Sequence, residues 1–382
     1  MKQFFFTISY LLVLNVANSQ STLTIKGIIL QSSDSLPVYN VHIFFKETDI
    51  GTTSNENGEF AFHFSNKFKG AEITISAIGF ETIHLKDSDT NQPLVVYLNE
   101  DIQLLDNVTI TVISPLQILK NAVKNLKINY NQEKVSKEIY YKEEFSTNDK
   151  PIRYLEVVAT LYTDGFSDKR KNPDSYSIFI KQKRPGFNFD PAFEGGNGIG
   201  VLHWLLWTER YFKKNNLPKF DIELMGKTEY RNEDVYKLKI RIPEKTQVET
   251  FIYITQTTYS ILAINENFGN KNAEIPSVKQ NFRFLKSRQY VDFQQLDDGY
   301  WYINSIDDYR EAIDSEGIIT EIKRSIRVTA INQNVKLNIK NRITRETDLY
   351  KYQVPYNPEF WENYNAPPET EEEKKIKAEL IK

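Results

Sequence analysis

The sequence predicts a mainly β protein: a small N-terminal β-sandwich, then a larger antiparallel β domain with a few helices. Three observations carry that expectation. Aromatic residues make up 13% of the 382 residues, with 22 Tyr and 24 Phe, and aromatic side chains fit the pleated, half-buried surface of a sheet. Apolar and polar residues alternate with period two in run after run. Turn signals built on Gly, Asn and Asp recur between those runs. A hydrophobic share of 40% against a charged share of 26% suits a globular chain with sizeable cores. The length suggests two or three domains at about 100–200 residues each.

The chain opens on a secretory signal. Lys2 is a positive n-region, Phe4 to Val16 an apolar h-region, and Ala17-Asn18-Ser19 a cleavage signal. Residues 1–19 therefore read as a signal peptide, with Gln20 as the mature start. The apolar run is short for a span of ~20 residues, and no later segment is apolar enough to cross a membrane as a helix. There is no cysteine. That excludes disulfides, thiolate catalysis, Cys-ligated zinc and a lipoprotein anchor on a mature N-terminal cysteine. The formal net charge of -3 provides no bulk attraction to nucleic acid.

The first folded domain is expected over residues 20–113. Phe60, Phe62 and Phe64 point one way and Ala61 and His63 the other. Ile73 and Ile75 alternate with Thr74 and Ser76. Asn57-Gly58 is a two-residue turn signal between such runs, because both residues tolerate positive φ. The ordered set Gly27, Leu36-Pro37, Val41, Gly51-Thr52-Thr53, Asn57-Gly58-x-Phe60 and Ile78-Gly79-Phe80 resembles the carboxypeptidase regulatory-like domain over about residues 23–99. The resemblance implies a transthyretin-like sandwich of about seven strands. It also implies a place in the Gram-negative envelope, in the periplasm or at the outer-membrane periphery. Two positions depart from the pattern. Asn40 stands where glycine is common, and Asn tolerates the left-handed conformation. Asn55 stands where aspartate is common, which puts any ligand role of that aspartate in doubt.

The family name implies no peptidase here. A zinc carboxypeptidase needs an H-x-x-E pair and a distant His, and none of His42, His63, His84 and His203 is followed by Glu at the third position. His42, His63 and His84 lie mid-strand, opposite the apolar residues. A solvated sheet face is the expectation for all three. Convergence on a metal would need those strands to be neighbours. No catalytic residue, cofactor or metal site is expected.

The second domain, 114–366, starts with a helix near 115–127. Ser114 can cap it, Pro115 suits its first position and Gln117 completes an S-x-x-Q box. Leu116, Leu119, Val123 and Leu126 form one apolar stripe, read as core packing. Strands are expected near 137–145, 152–162, 175–183, 220–229, 234–242, 248–255, 259–267, 279–293, 299–309, 318–331 and 335–344. The run Ile252-Tyr253-Ile254-Thr255-Gln256-Thr257-Thr258-Tyr259-Ser260-Ile261 resembles a hairpin of the periplasmic lipoprotein-carrier (LolA/LolB-like) superfamily. That resemblance implies a curved antiparallel sheet or half-barrel around a helical lid, with an apolar cleft for acyl chains.

Gly195-Gly196-Asn197-Gly198-Ile199-Gly200 breaks the β rhythm and leads into a second helix near 200–214. The turn lacks the G-K-[ST] ending of a phosphate loop and reads as a hinge. Trp204 and Trp207 on that helix are core residues or, alternatively, a candidate ligand cleft. Asp297-Asp298-Gly299 reads as a hairpin turn, and Asp307 and Asp308 as a solvated strand face. The Phe360-Trp361 pair reads as an anchor folded back on the second domain. Residues 367–382 read as a charged helical tail. The expected function is a non-catalytic binding or assembly module of the envelope, with an envelope protein or a lipid as partner. Its rivals are a hydrolase using carboxylates or His203, and a small outer-membrane β-barrel with a periplasmic domain.

Overall fold

The computed structural model describes residues 22–45, 48, 50–86, 93–101, 103–104, 113–163, 165–166, 176–188, 198–199, 217–230, 233–242, 248–269, 275–276, 282–333, 342–343 and 347–380. The expected signal peptide, the helix expected near 200–214 and nearly all of the strand expected near 335–344 lie outside them.

Seven strands build the first part, as the resemblance implies: β1 (Thr22–Gln31), β2 (His42–Phe45), β3 (Gly51–Thr53), β4 (Glu59–Ser65), β5 (Glu72–Ser76), β6 (Ile83–Lys86) and β7 (Leu94–Leu98). They form two sheets, in orders β4-β1-β7 and β3-β2-β5-β6. The alternation Phe60, Phe62, Phe64 puts three rings into the space between the sheets, where all three are buried. Phe45 from the opposite sheet stacks on Phe68 and meets Phe62, each at 5.0 Å between centroids. Each such ring contributes about 1.5–3 kcal/mol by leaving water. Asn40 takes the left-handed backbone, φ 56°, where the related pattern favours glycine. Gly58 turns the chain at φ +74°, and a Cβ there would stand 2.3 Å from the Ile29 carbonyl oxygen.

The rest of the chain is one large sheet. Its strands are β8 (Gln103–Leu104), β9 (Val135–Thr147), β10 (Lys150–Thr163), β11 (Tyr176–Lys183), β12 (Phe187–Asn188), β13 (Asp221–Tyr230), β14 (Glu233–Arg241), β15 (Val248–Thr255), β16 (Ile261–Phe268), β17 (Ile275–Pro276), β18 (Phe282–Gln295), β19 (Trp301–Asp314) and β20 (Ile319–Gln333). The order is β11-β10-β9-β20-β19-β18-β16-β15-β14-β13-β8, with β12 on β10 and β17 on β18. Every neighbouring pair is antiparallel. Among the described residues the two ends do not meet. The short β8, β12 and β17 carry too few residues for period two to show.

Register sorts the side chains into two faces. On β9 the residues Ile139, Tyr141 and Phe145 lie on one face, with Leu155, Val157 and Ala159 of β10 opposite them or one step away. Helix α1 (Pro115–Asn129) covers this apolar face through buried Ile118, Leu119, Ala122 and Val123. The Ser114 side chain caps α1 by accepting from the Gln117 amide. The second half of the expected capping box does not form, because the Gln117 side chain donates to Asn121 Oδ1 instead. Asn125 and Asn129 tie α1 to the β15–β16 hairpin by donating to the Thr258 carbonyl.

The opposite face carries Tyr140, Lys142, Glu144, Tyr154, Glu156 and Val158. The end of the chain covers part of it. Helix α2 (Pro358–Glu362) buries Trp361 against Tyr140 and Val158, so the expected anchor forms. Helix α3 (Glu371–Leu380) follows. Its start is a closed capping box: the Thr370 amide donates to Glu373 and the Glu373 amide to Thr370 Oγ1. No described helix is long and apolar enough to cross a membrane.

Candidate functional site

The sandwich docks on this second face, and the contact is polar. The turn before β2 brings Tyr39 and Asn40 down, and β2 itself brings His42. Neighbouring β18, β19 and β20 present Asp292, Ser305, Asp307 and Arg327. Register places Asp292 opposite Ser305, and Ser305 opposite Arg327.

Asp292 is fully buried. His42 Nε2 lies 2.9 Å from its Oδ2. Asn304 Nδ2 donates to the same oxygen at 3.0 Å and to His42 Nδ1 at 2.9 Å. Ser305 Oγ donates to Oδ1, and Tyr230 OH reaches Oδ2 at 3.4 Å. Four donors thus meet the lone pairs of one carboxylate, as an ionised buried carboxylate requires. With Asn304 donating to Nδ1, the imidazole is the Nε2–H tautomer. It donates to Asp292 and accepts from Asn304, so a neutral ring is satisfied on both sides. Asn40 Nδ2 completes the link to the sandwich by donating to Ser305 Oγ at 3.2 Å.

A second cluster adjoins it. Arg327 Nη2 donates to Asp307 Oδ1 at 2.8 Å and to Tyr39 OH at 2.7 Å, and Tyr39 OH donates to Asp307 Oδ1 at 2.8 Å. Arg327 also reaches Thr53 Oγ1 and the carbonyls of Ile306 and Ile326. Burial works most strongly against its charge, but Asp307, Tyr39 and Asp292 together outweigh it, so Arg327 stays charged. Between these clusters lies a cavity of about 40 Å³, lined by His42, Thr53, Asn304, Arg327 and Asn365 among others. It holds a water or two and no larger guest. Thr52 Oγ1, buried without a protein partner, belongs to its wall.

The chain end straps both parts. Asn365 exchanges hydrogen bonds with the His63 backbone, at 2.7 and 2.8 Å. Asn55 Nδ2 donates to the Pro368 carbonyl at 3.0 Å, while its Oδ1 accepts from the amides of Asn57 and Glu59. An aspartate would keep the second role and lose the first, so the departure from the family pattern at Asn55 has a structural use. Buried Glu156 accepts from Tyr140, Arg184 and Lys377. Burial raises its pKa, but Lys377 and Arg184 hold the carboxyl below its ordinary value.

Several expectations change here. His42 is 4% exposed. The period-two pattern rightly turns it away from the sandwich core, yet the large sheet covers that face. His63 and His84 do not join it: His63 bonds Thr24, and His84 lies beside Thr74 and Glu72. No group of three metal-ligating residues occurs among the described residues. Asp307 is half-buried and Asp308 buried, and both sit in ion pairs instead of on a solvated face. Asp308 is 2% exposed and pairs with Arg310 at 3.0 Å. Asp298 does serve the turn, accepting from the Tyr300 amide. Gly198 packs where a Cβ would stand 1.9 Å from the Tyr141 hydroxyl and 2.8 Å from Glu143 Oε2. A carboxylate there disfavours phosphate. Trp204, Trp207 and His203 lie outside the described residues.

Residues 25–110 match the family model of the CarboxypepD_reg-like domain, in agreement with the resemblance seen in the sequence. No curated protein matches the chain. Among solved structures, a putative outer membrane lipoprotein-sorting protein domain from Vibrio parahaemolyticus is similar at 10% identity. The alignment covers 58% of this chain and 93% of that one, with a TM-score of 0.25. A DUF1329 family protein from Desulfovibrio piger shows 11% identity over 59% and 96% of the two chains, TM-score 0.25. A LolA superfamily protein from Nitrosomonas europaea shows 11% identity over 57% and 94%, TM-score 0.20. At such TM-scores the likeness says nothing of ligand or partner.

Proposed function

We propose that this chain is a non-catalytic binding or assembly module of the Gram-negative envelope. In this reading it is exported through residues 1–19 and works in the periplasm or at the outer-membrane periphery. The regulatory-like domain ends near 113, beyond the strand β8 that it adds to the large sheet, and the large sheet carries the binding surface, with Trp204 and Trp207 at its cleft. A lipid or an envelope protein is the partner.

One observation supports this reading above others. Ser305, Asp292 and His42 have the residue types of a hydrolytic triad, and they are wired the wrong way for one. A nucleophilic serine gives its proton to histidine. Here Ser305 and His42 both donate to Asp292, which sits between them. All three are buried at the contact of sandwich and sheet. Groups that read as catalytic by type are used to fasten two parts of the chain together. A rigid two-part platform suits recognition.

Native mass spectrometry of the mature chain, purified from a periplasm without detergent, tests the proposal. An adduct of lipid mass released on denaturation, or a stoichiometric envelope protein, is the expected result. Turnover of an ester or glycoside substrate that His203→Ala abolishes without loss of folding overturns it.

A further inference from the structure

The strap meets the sheet at a group of three reactive side chains. Lys142 and Glu144 project from the second face of β9, and Glu373 reaches them from the first turn of α3. The Lys142 amine touches Glu373 Oε1 and lies 3.3 Å from Glu144 Oε1. The side chains of Lys142, Glu144 and Glu373 are 21%, 13% and 7% exposed. The other oxygen of Glu373 accepts from the Thr370 amide at 2.6 Å, at the positive end of α3. Glu144 donates to the Glu373 carboxylate, since its own carboxyl keeps a proton up to about 7. The cross-strand neighbours do not compete. Glu156, opposite Lys142, accepts from Tyr140, Arg184 and Lys377, and Tyr154, opposite Glu144, is an aromatic wall.

These are the parts of an acyl transfer. There is an amine nucleophile, a carboxyl electrophile, a backbone N–H on the oxygen where charge develops, and a protonated carboxyl to pass protons. As an ion pair the amine and the carboxylate do not react. Burial pushes all three groups toward their neutral forms, and their attraction for one another opposes it. Moving one proton from amine to carboxylate inside the pair therefore costs less than it would in water. Condensation removes both buried charges.

We propose that Lys142 and Glu373 join through an isopeptide bond, closed once per chain and without turnover, with Glu144 as the proton shuttle. The ammonium first passes a proton to the carboxylate. The amine then attacks Cδ of Glu373 and forms the N–C bond, while the Thr370 amide holds the oxyanion on Oε2. Glu144 protonates the hydroxyl on Cδ, which leaves as water, and recovers a proton from the nitrogen. An ammonium and a carboxylate become an amide and a water, with no oxidant and with Glu144 unchanged. The charges described above belong to the chain before closure; afterwards Glu144 keeps its buried proton. The link closes a loop of 231 positions in a chain without cysteine. It fastens the strap to the sheet and constrains the unfolded chain as a disulfide would.

The intact mass of the purified chain, measured under denaturing conditions, tests this. The wild type is expected to be one water lighter than its sequence, and its tryptic digest to hold a branched peptide joining Lys142 to Glu373. Lys142→Arg keeps the ion pair but replaces the amine by a guanidinium, so it is expected at the full sequence mass. Glu144→Gln keeps the shape of the shuttle without its acidic proton and closes about 100-fold more slowly or not at all. A wild type at full mass overturns the proposal, as does a water loss that persists in Lys142→Arg. Should Lys142→Arg fail to fold, the branched peptide decides: its presence supports the link and its absence overturns it.

Discussion

The two faces of the large sheet are both closed, by opposite chemistry. Against α1 the contact is Ile118, Leu119, Ala122 and Val123 on Ile, Leu and Val of the strands. Against the sandwich it is His42 on Asp292, Asn40 on Ser305, and Tyr39 on Arg327 and Asp307. An apolar contact is non-directional and tolerates repacking. A buried polar contact forms only in one register, and is costly in any other because its donors and acceptors go unmatched. The first face therefore provides the cohesion of the sheet. The second fixes where the sandwich sits on it.

The sharpest way to break the contrast is Asp292→Ala set beside Leu119→Ala. Removing Asp292 leaves buried donors on His42, Ser305 and Asn304 without an acceptor, at a cost of about 3–5 kcal/mol. The loss falls at the seam, so urea unfolding is expected to split into two transitions, with the sandwich separating from the sheet. Leu119→Ala costs about 2–5 kcal/mol through its cavity and keeps one transition, because it weakens the body of the sheet. One transition in both variants means that the polar seam has no independence from the core.

What was legible in the sequence follows the same division. Phe60, Phe62 and Phe64 announced the sandwich core, since period two with large rings has one good solution. Asn40 announced a left-handed turn, and Ser114-Pro115 the start of α1. Those are local signals. The burial of His42 and Asp308 was not legible, because the pattern says which way a side chain points and not what covers it. Their partners lie far along the chain: His42 and Asp292 are 250 positions apart. The box Thr370-Glu371-Glu372-Glu373 is a local signal that can be read directly, and it marks the start of α3. The long-range pairing of Glu373 and Lys377 with β9 and β10 had no local trace.

A gentler test uses pH at the strap. Glu144 on β9 faces Glu373 on α3, with Lys142 between them. Burial, reinforced by Glu373, raises the Glu144 carboxyl above its ordinary 4.5, to about 7, against the pull of Lys142. Glu373 moves the other way, because Lys142 and hydrogen bonds outweigh its burial. The pair holds one proton between them across mildly acidic pH. A raised carboxyl stabilises the fold fully below about 4.5 and loses that contribution as pH climbs through about 7. The lowered Glu373 contributes above its unfolded value and fails only in strong acid. Stability is thus expected to fall by on the order of 1–3 kcal/mol between pH 5 and 8, and Glu144→Gln to remove that slope. A Gln variant with the same slope places the proton elsewhere.

The smallest effect belongs to an exposed ion pair across the seam among the described residues. Lys323 on β20 and Glu56 of the sandwich approach to 3.7 Å, with side chains 34% and 53% exposed. Such a pair gains little in water and loses side-chain freedom, so Glu56→Ala is expected to cost under about 1 kcal/mol, and less in high salt. This variant and Asp292→Ala cut the same seam at its rim and at its centre. If they cost alike, docking rests on long-range charge attraction spread over the seam. If only Asp292→Ala separates the sandwich, docking rests on the buried hydrogen bonds, and salt should leave it untouched.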